Sequence, residues 1–201
     1  MINPKNIHCL ALNYQGVGNE LDECPLYFIK SKLSLCYNGA KVPFPNDASI
    51  LWTEVELGII VKEECTSIQE ESAPDFIEGF VVCADITCNN LYSRDHHLGY
   101  SKSRKHFCPI STTIVNLDSN KLNKLELITE INGKITQRGS TKQMRYNPNQ
   151  SFCYVSNVVP LWKGDLILTG TPPGHENNML QRGNHVRHII ELVGELQYEI
   201  V

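Results

Sequence analysis

No run of about 18 consecutive apolar residues occurs in the 201-residue chain, so no segment has the length of a membrane-spanning helix. Positive charge is also scarce: 18 Lys and Arg stand against 22 Asp and Glu, a formal net charge of -4, with no long run of either sign. A protein that neutralises phosphates needs the opposite balance, which argues against DNA or RNA as a partner. No internal repeat, low-complexity tract or proline-rich linker divides the chain. No Cys-x-x-Cys pair is found among the eight cysteines, which lie mostly among apolar neighbours. Buried reduced thiols are the expectation, and with them a cytoplasmic compartment. The opening residues MINPKNIHCLALNY carry an apolar run too short for a secretory signal, so secretion is not expected.

What is present is an ordinary globular composition, 41% hydrophobic and 20% charged, in a length that suits one domain over residues 1–201. Strand character dominates. Segments 7–12, 26–29, 50–61, 76–86, 112–117, 124–133, 165–170 and 186–201 are rich in branched residues and bounded by Gly, Pro, Asn or Asp. Helices are few: 67–74 opens with a Ser67/Glu70 capping-box spacing, and 147–158 offers Asn147 as N-cap, Pro148 at N1 and Gln150 at N3. A third helix is expected after Asp85. Parallel sheets of the doubly wound or barrel kind need a crossover helix after each strand, and that alternation is missing. The expected class is α+β, mainly β, with mixed sheets and a few short helices.

In W-T-E-V-E-L-G-I-I-V the period of two puts Val55, Leu57, Ile59 and Val61 on one face and Glu54, Glu56, Gly58 and Ile60 on the other. The two carboxylates therefore share a face, about 6.5 to 7 Å apart at the Cα atoms. A second acidic signal, Asp85, ends the apolar run F-V-V-C-A-D, where an ionised group is costly unless paired, hydrogen-bonded or metal-bound. Two readings of Glu54, Glu56 and Asp85 stand at this point: carboxylates decorating a solvated face, or an oxygen cage for a hard divalent cation.

Further residues fall into an ordered pattern: N-Y at 13–14, P-L-Y-F-I-K at 25–30, E-V-E-L-G at 54–58, Asp85 and K-S at 102–103. Then come C-P-I-S at 108–111, N-G-K-I-T-Q at 132–137 with Thr141 and Met144, and G-D-L-I-L-T-G-T-P-P-G at 164–174. Together they resemble the fumarylacetoacetate hydrolase family, in its compact branch of acylpyruvate hydrolases, oxaloacetate decarboxylases and homoprotocatechuate-pathway isomerases. The resemblance implies a mixed β-sandwich roll, usually dimeric. It implies one Mg²⁺, or Mn²⁺ or Ca²⁺, held by Glu54, Glu56 and Asp85, and a small 2-oxo or dioxo acid as substrate. Lys102 matches the family lysine beside the substrate, and Gly170 and Thr171 match the element lining its pocket. Cleavage next to a carbonyl leaves an enolate, whose charge a Lewis acid and a nearby ammonium stabilise. For Gln137 a structural role is the stronger expectation than substrate contact.

The pattern is broken in places. Active hydrolases of this branch carry Y-x-x-H-x-x-E in an N-terminal lid, whereas residues 14–20 read Y-Q-G-V-G-N-E. Val17 replaces the histidine, and Glu20, expected as a catalytic residue of the lid segment within 1–24, has lost its partner. Positioned general-base catalysis is worth roughly 10²- to 10⁴-fold, so decarboxylation or isomerisation, which need no activated water, suffer less than hydrolysis. After Asp85 the usual Arg, Asp and Gln are replaced in I-T-C-N-N-L-Y, and Leu12 stands where an Arg often precedes N-Y. His175, directly after T-P-P-G, is the first candidate for a replacement base, with His96 and His97 behind it. The alternative function is an impaired family member that keeps the metal and ligand site as a binding protein.

Overall fold

The alternation in residues 50–61 becomes the long central strand of the protein, and the two faces read from sequence are the two faces seen. In the computed structural model, which describes residues 2–18 and 24–201, Val55, Leu57, Ile59 and Val61 enter one apolar core while Ile60 enters another. Covered on both sides, this strand is buried almost throughout, as an interior strand must be.

In chain order the strands and helices are β1 (Ile7–Ala11), β2 (Leu26–Lys30), β3 (Leu35–Tyr37), β4 (Ala40–Val42), β5 (Leu51–Val61), α1 (Ala73–Phe76), β6 (Ile77–Cys88), α2 (Gly99–Lys102), β7 (Cys108–Ile110), α3 (Ser119–Leu122), β8 (Glu126–Ile131), β9 (Lys134–Ser140), α4 (Pro148–Val158), β10 (Leu166–Leu168), β11 (His185–Ile190) and β12 (Gly194–Ile200). One sheet has the order β2-β1-β10-β5-β6-β7-β3 and the other β4-β12-β11-β8-β9. Parallel pairs β1/β10, β3/β7 and β4/β12 sit among antiparallel ones, so both sheets are mixed. The larger core lies between the sheets and takes in Phe152 and Val155 of α4. The smaller core lies on one face of the curled first sheet, from Phe28 at one edge to Ile110 near the other, with Ile2 from outside the strands joining it. The expected α+β, mainly β architecture is the observed one.

Local signals were obeyed where the chain could satisfy them. Asn147 caps α4, its side chain accepting from Gln150 N at 3.0 Å while the Gln150 side chain accepts from Asn147 N at 3.0 Å. Ser67 does not cap a helix: its φ of 51° is left-handed, whereas an N-cap is extended. Its N–H bonds Ser156 O instead, and a short 3-10 turn at Glu70–Ser72 leads into α1. Residues 112–117 form no strand. Val115 exchanges two backbone bonds with Phe80 as an isolated bridge, showing that branched residues without a partner edge do not make a ladder. The tail 186–201 is two strands turned at 191–193, with Leu192 at φ 62°. The helix expected after Asp85 is the single turn α2, because β6 runs on to Cys88. All eight cysteines are free thiols; seven are buried, and Cys24 is exposed, against expectation.

Candidate active site

In the antiparallel pair β5/β6, Glu54 stands directly opposite Asp85 and Glu56 opposite Cys83. Opposed residues share a face, so the three carboxylates converge, each offering an oxygen within 4.8 Å of the others. Asp85 lies inside β6, not at its end, since three residues follow it in the strand. Glu56 and Asp85 are 2% and 1% exposed. Burying ionised carboxylates this deeply requires compensation.

Two lysines supply part of it. Lys102, on α2, donates to Asp85 Oδ2 at 2.7 Å, Thr87 Oγ1 at 2.7 Å and Glu54 Oε2 at 2.9 Å. The turn that carries it is tied down by Asp95, which accepts from Ser101 N at 2.7 Å and Ser101 Oγ at 2.8 Å. Lys30, the last residue of β2, donates to Asp85 Oδ1 at 2.5 Å and to Ile86 O at 3.3 Å. Burial pushes the Asp85 carboxyl up, but Lys102 and Lys30 together outweigh it and hold the group below its ordinary value. Burial likewise works against the Lys102 charge, and Asp85 and Glu54 overcome it, so the ammonium is held above its ordinary value.

Glu56 is different. Its Oε2 accepts the Gly170 N–H at 2.5 Å. Burial first, then the charges of Asp85 and Glu54, push its carboxyl well above the ordinary range. Gly170 approaches closely only because it lacks a side chain: at φ 90°, a Cβ would sit 3.1 Å from both Leu10 O and Asn13 Cβ. Asn13 fixes that corner through bonds to Thr169 O at 2.9 Å, Tyr146 O at 3.1 Å and Ser151 Oγ at 3.2 Å. The two ammonium groups pair with Asp85 and Glu54, and among the described residues neither reaches Glu56, which is left as the carboxyl without a cation. An all-oxygen donor set with one carboxyl still lacking a cation fits a hard divalent ion.

These groups form the inner end of a cavity of about 230 Å³. Lys102, Gly170 and Thr171 line it, as do Leu12, Val17, Trp52 and Leu98 toward its outer wall. Trp52 also donates Nε1–H to Glu54 Oε1 at 3.0 Å. His175 lines the cavity, and its Nδ1 is buried without a hydrogen-bond partner among the described residues. His96 and His97 are exposed and take no part in the lining. Glu20 lies outside the described residues. Lys30 and Thr87 escaped the sequence reading, although Lys30 was within reach: the period of two in L-Y-F-I-K places it on the buried face with Phe28.

The family model described as fumarylacetoacetate (FAA) hydrolase, C-terminal, matches residues 6–201. The chain is 30% identical over 193 residues to the human mitochondrial oxaloacetate tautomerase, covering 90% of this chain and 87% of the relative. It is 34% identical over 169 residues to a mitochondrial oxaloacetate decarboxylase from Dictyostelium discoideum, covering 82% and 78%. Among solved structures, the 5-carboxymethyl-2-hydroxymuconate delta-isomerase from Mycobacterium smegmatis superposes with a TM-score of 0.90 at 28% identity, over 100% of this chain and 80% of that one.

Proposed function

From the premise that the chain belongs to the fumarylacetoacetate hydrolase family, we propose that it is a divalent-metal-dependent enzyme acting on a small 2-oxo or dioxo carboxylic acid, by tautomerisation or decarboxylation ahead of hydrolysis. The observation that carries this reading is the meeting of Glu54, Glu56, Asp85 and Lys102 at the closed end of one cavity. Glu54, Glu56 and Asp85 would hold the cation, Mg²⁺ by choice, with Mn²⁺ or Ca²⁺ as substitutes. When bound, the ion supplies Lewis acidity toward the oxygens of the oxo acid. Lys102, held charged by Asp85 and Glu54, cannot serve as a base at neutral pH; its part is to place a fixed positive charge where an enolate oxygen develops. Lys30 keeps Asp85 ionised and in place. Thr171 and Gly170 shape the substrate's seat.

The preference among reactions follows from Val17. It cannot accept a proton from water, and tautomerisation and decarboxylation need no attacking water. Both still need a proton to move at carbon, and we assign that to His175, with Glu20 as a second proton carrier. His175→Ala would then cut turnover at least tenfold on a confirmed substrate, and unchanged turnover removes the assignment. We also read residues 1–201 as one catalytic domain, acting as a homodimer by family resemblance, which light scattering of the purified protein would check. The free thiols support a reducing compartment, the cytoplasm. Among the described residues no helix is long and apolar enough to cross a membrane.

The direct test is the purified protein with Mg²⁺ against oxaloacetate enol, oxaloacetate, acylpyruvates and 2-hydroxymuconate-type diacids. Turnover of at least one, abolished by chelation and restored by metal, is the expected result. Silence across the panel despite tight metal binding would make this a ligand-binding protein instead.

A further inference from the structure

Thr171 is 7% exposed and borders the cavity. Behind it lies Gln137 of β9, 2% exposed, whose Nε2 donates to Thr171 Oγ1 at 3.1 Å and to Pro172 O at 2.6 Å. The amide cannot be turned around. A carbonyl only accepts, so Pro172 O demands the nitrogen. On the other side Oε1 receives the Thr129 hydroxyl at 3.0 Å and the Asn178 amide at 2.7 Å. Asn178 is itself fixed, because Nδ2 also donates to Thr53 O at 3.0 Å and Oδ1 accepts from Thr136 Oγ1 at 2.6 Å. Both protons of Gln137 Nε2 are therefore committed, one of them to Thr171. The Thr171 oxygen is an acceptor toward the protein interior, and its own proton is left for the cavity.

We propose that Gln137 is a positioning residue that fixes the Thr171 hydroxyl as a hydrogen-bond donor toward the carboxylate or oxo oxygen of a 2-oxo acid. The role rests on the substrate reading given above. A threonine hydroxyl carries one proton and two lone pairs and rotates freely in solution; against an anionic oxygen only the donor orientation attracts. A donor set in advance needs no reorientation when the ligand arrives. The same logic runs backward into the core: Thr129 gives its proton to Gln137 and so accepts from His188 Nδ1, 3.0 Å away. The direction of one hydroxyl in the cavity is thus set by a line of buried side chains that never touch the substrate.

Oxalate, which presents adjacent carboxylate oxygens like a 2-oxo acid head, is a suitable probe for calorimetry on the Mg²⁺-loaded protein, with melting curves to confirm folding. Thr171→Val and Gln137→Met are each expected to weaken oxalate about tenfold. The double variant should be no weaker than Thr171→Val alone, and in a Thr171→Ser background Gln137→Met should again cost about tenfold. An unchanged oxalate affinity in folded Gln137→Met, or losses that multiply to about a hundredfold in the double variant, would overturn the role. Should Gln137→Met fail to fold, Gln137→Asn serves: it keeps an amide donor and acceptor, is one methylene too short to span Thr129 and Thr171 together, and should weaken oxalate only where Thr171 is present. A wild-type protein that binds Mg²⁺ but not oxalate would overturn the substrate reading, and this role with it. Normal oxalate binding without coupling between Gln137 and Thr171 would overturn the role alone.

Discussion

Two buried polar assemblies lie on opposite faces of β5. On the face of Val55 and Leu57, Thr53 meets His188 Nε2 at 3.0 Å and Tyr198 OH at 2.6 Å, and the line continues through Thr129 to Gln137 and Asn178. On the other face Glu54, Glu56 and Asp85 meet Lys30 and Lys102. The first assembly is neutral and closed: each proton has an acceptor, and burial pushes the His188 imidazole down to about 3, so it carries no charge. The second is ionic and open: among the described residues no lysine pairs with Glu56, and burial first, then Asp85 and Glu54, push its carboxyl up. Deep burial is common to both. What marks the candidate site is a buried carboxyl left without a cation beside a cavity, because a satisfied network asks for no ligand and an unsatisfied one does.

The sharpest way to break the comparison is to remove the cation that faces substrate. Lys102→Met should lower turnover about 10³-fold, or about 4 kcal/mol of barrier, while Asp85 keeps Lys30; steady-state kinetics reads the loss. Lys30→Met acts on the same carboxylate from the side away from the cavity. It should destabilise the fold by about 3 kcal/mol in urea titration, since a buried charge loses a partner.

The neutral assembly has its own signature in pH. The unfolded His188 binds a proton below its ordinary value of 6.5, whereas the folded residue stays neutral down to about 3. Its contribution is fully present above pH 6.5 and is lost as pH falls toward 3. Between pH 8 and pH 5 the loss amounts to about 2 kcal/mol. Denaturation of wild type and His188→Gln across that range isolates it: the wild type should lose that much more than the variant, and parallel curves would refute the assignment. The smallest expected change is at the cavity's outer wall. Val17→His restores a group able to orient water, and should raise hydrolysis of an acylpyruvate about tenfold with little change in stability; an unaltered rate would mean the wall position does not reach the reacting carbon.

Much of this was legible from periodicity. The faces of β5, the shared side of Glu54 and Glu56, the Asn147 cap and the β-dominated class follow from side-chain alternation and local hydrogen bonding, which the fold did not override. Strands β3, β4 and β7 were not legible, because Leu-Cys-Tyr, Ala-Lys-Val and Cys-Pro-Ile lack the unbroken branched run that marks the equally short β10. Strand β9 is polar enough to read as a loop, and Gln137 sits within it. Residues 112–117 had the composition of a strand and no second neighbour to pair with. The burial of Lys30 was legible from the alternation of β2 and the structural role of Gln137 from its place after a hairpin, but their partners Asp85 and Thr171 were not, because these lie 55 and 34 positions away, outside any local window.

The central claim is that Glu54, Glu56 and Asp85 form a cation site at the floor of the cavity. Titration of the purified protein with Mn²⁺, followed by electron paramagnetic resonance and competed with Mg²⁺, tests it most directly. One site per chain is expected, weakened at least tenfold in Glu56→Gln with the melting curve still cooperative. Absence of binding in the wild type, or equal affinity in the variant, would contradict the account.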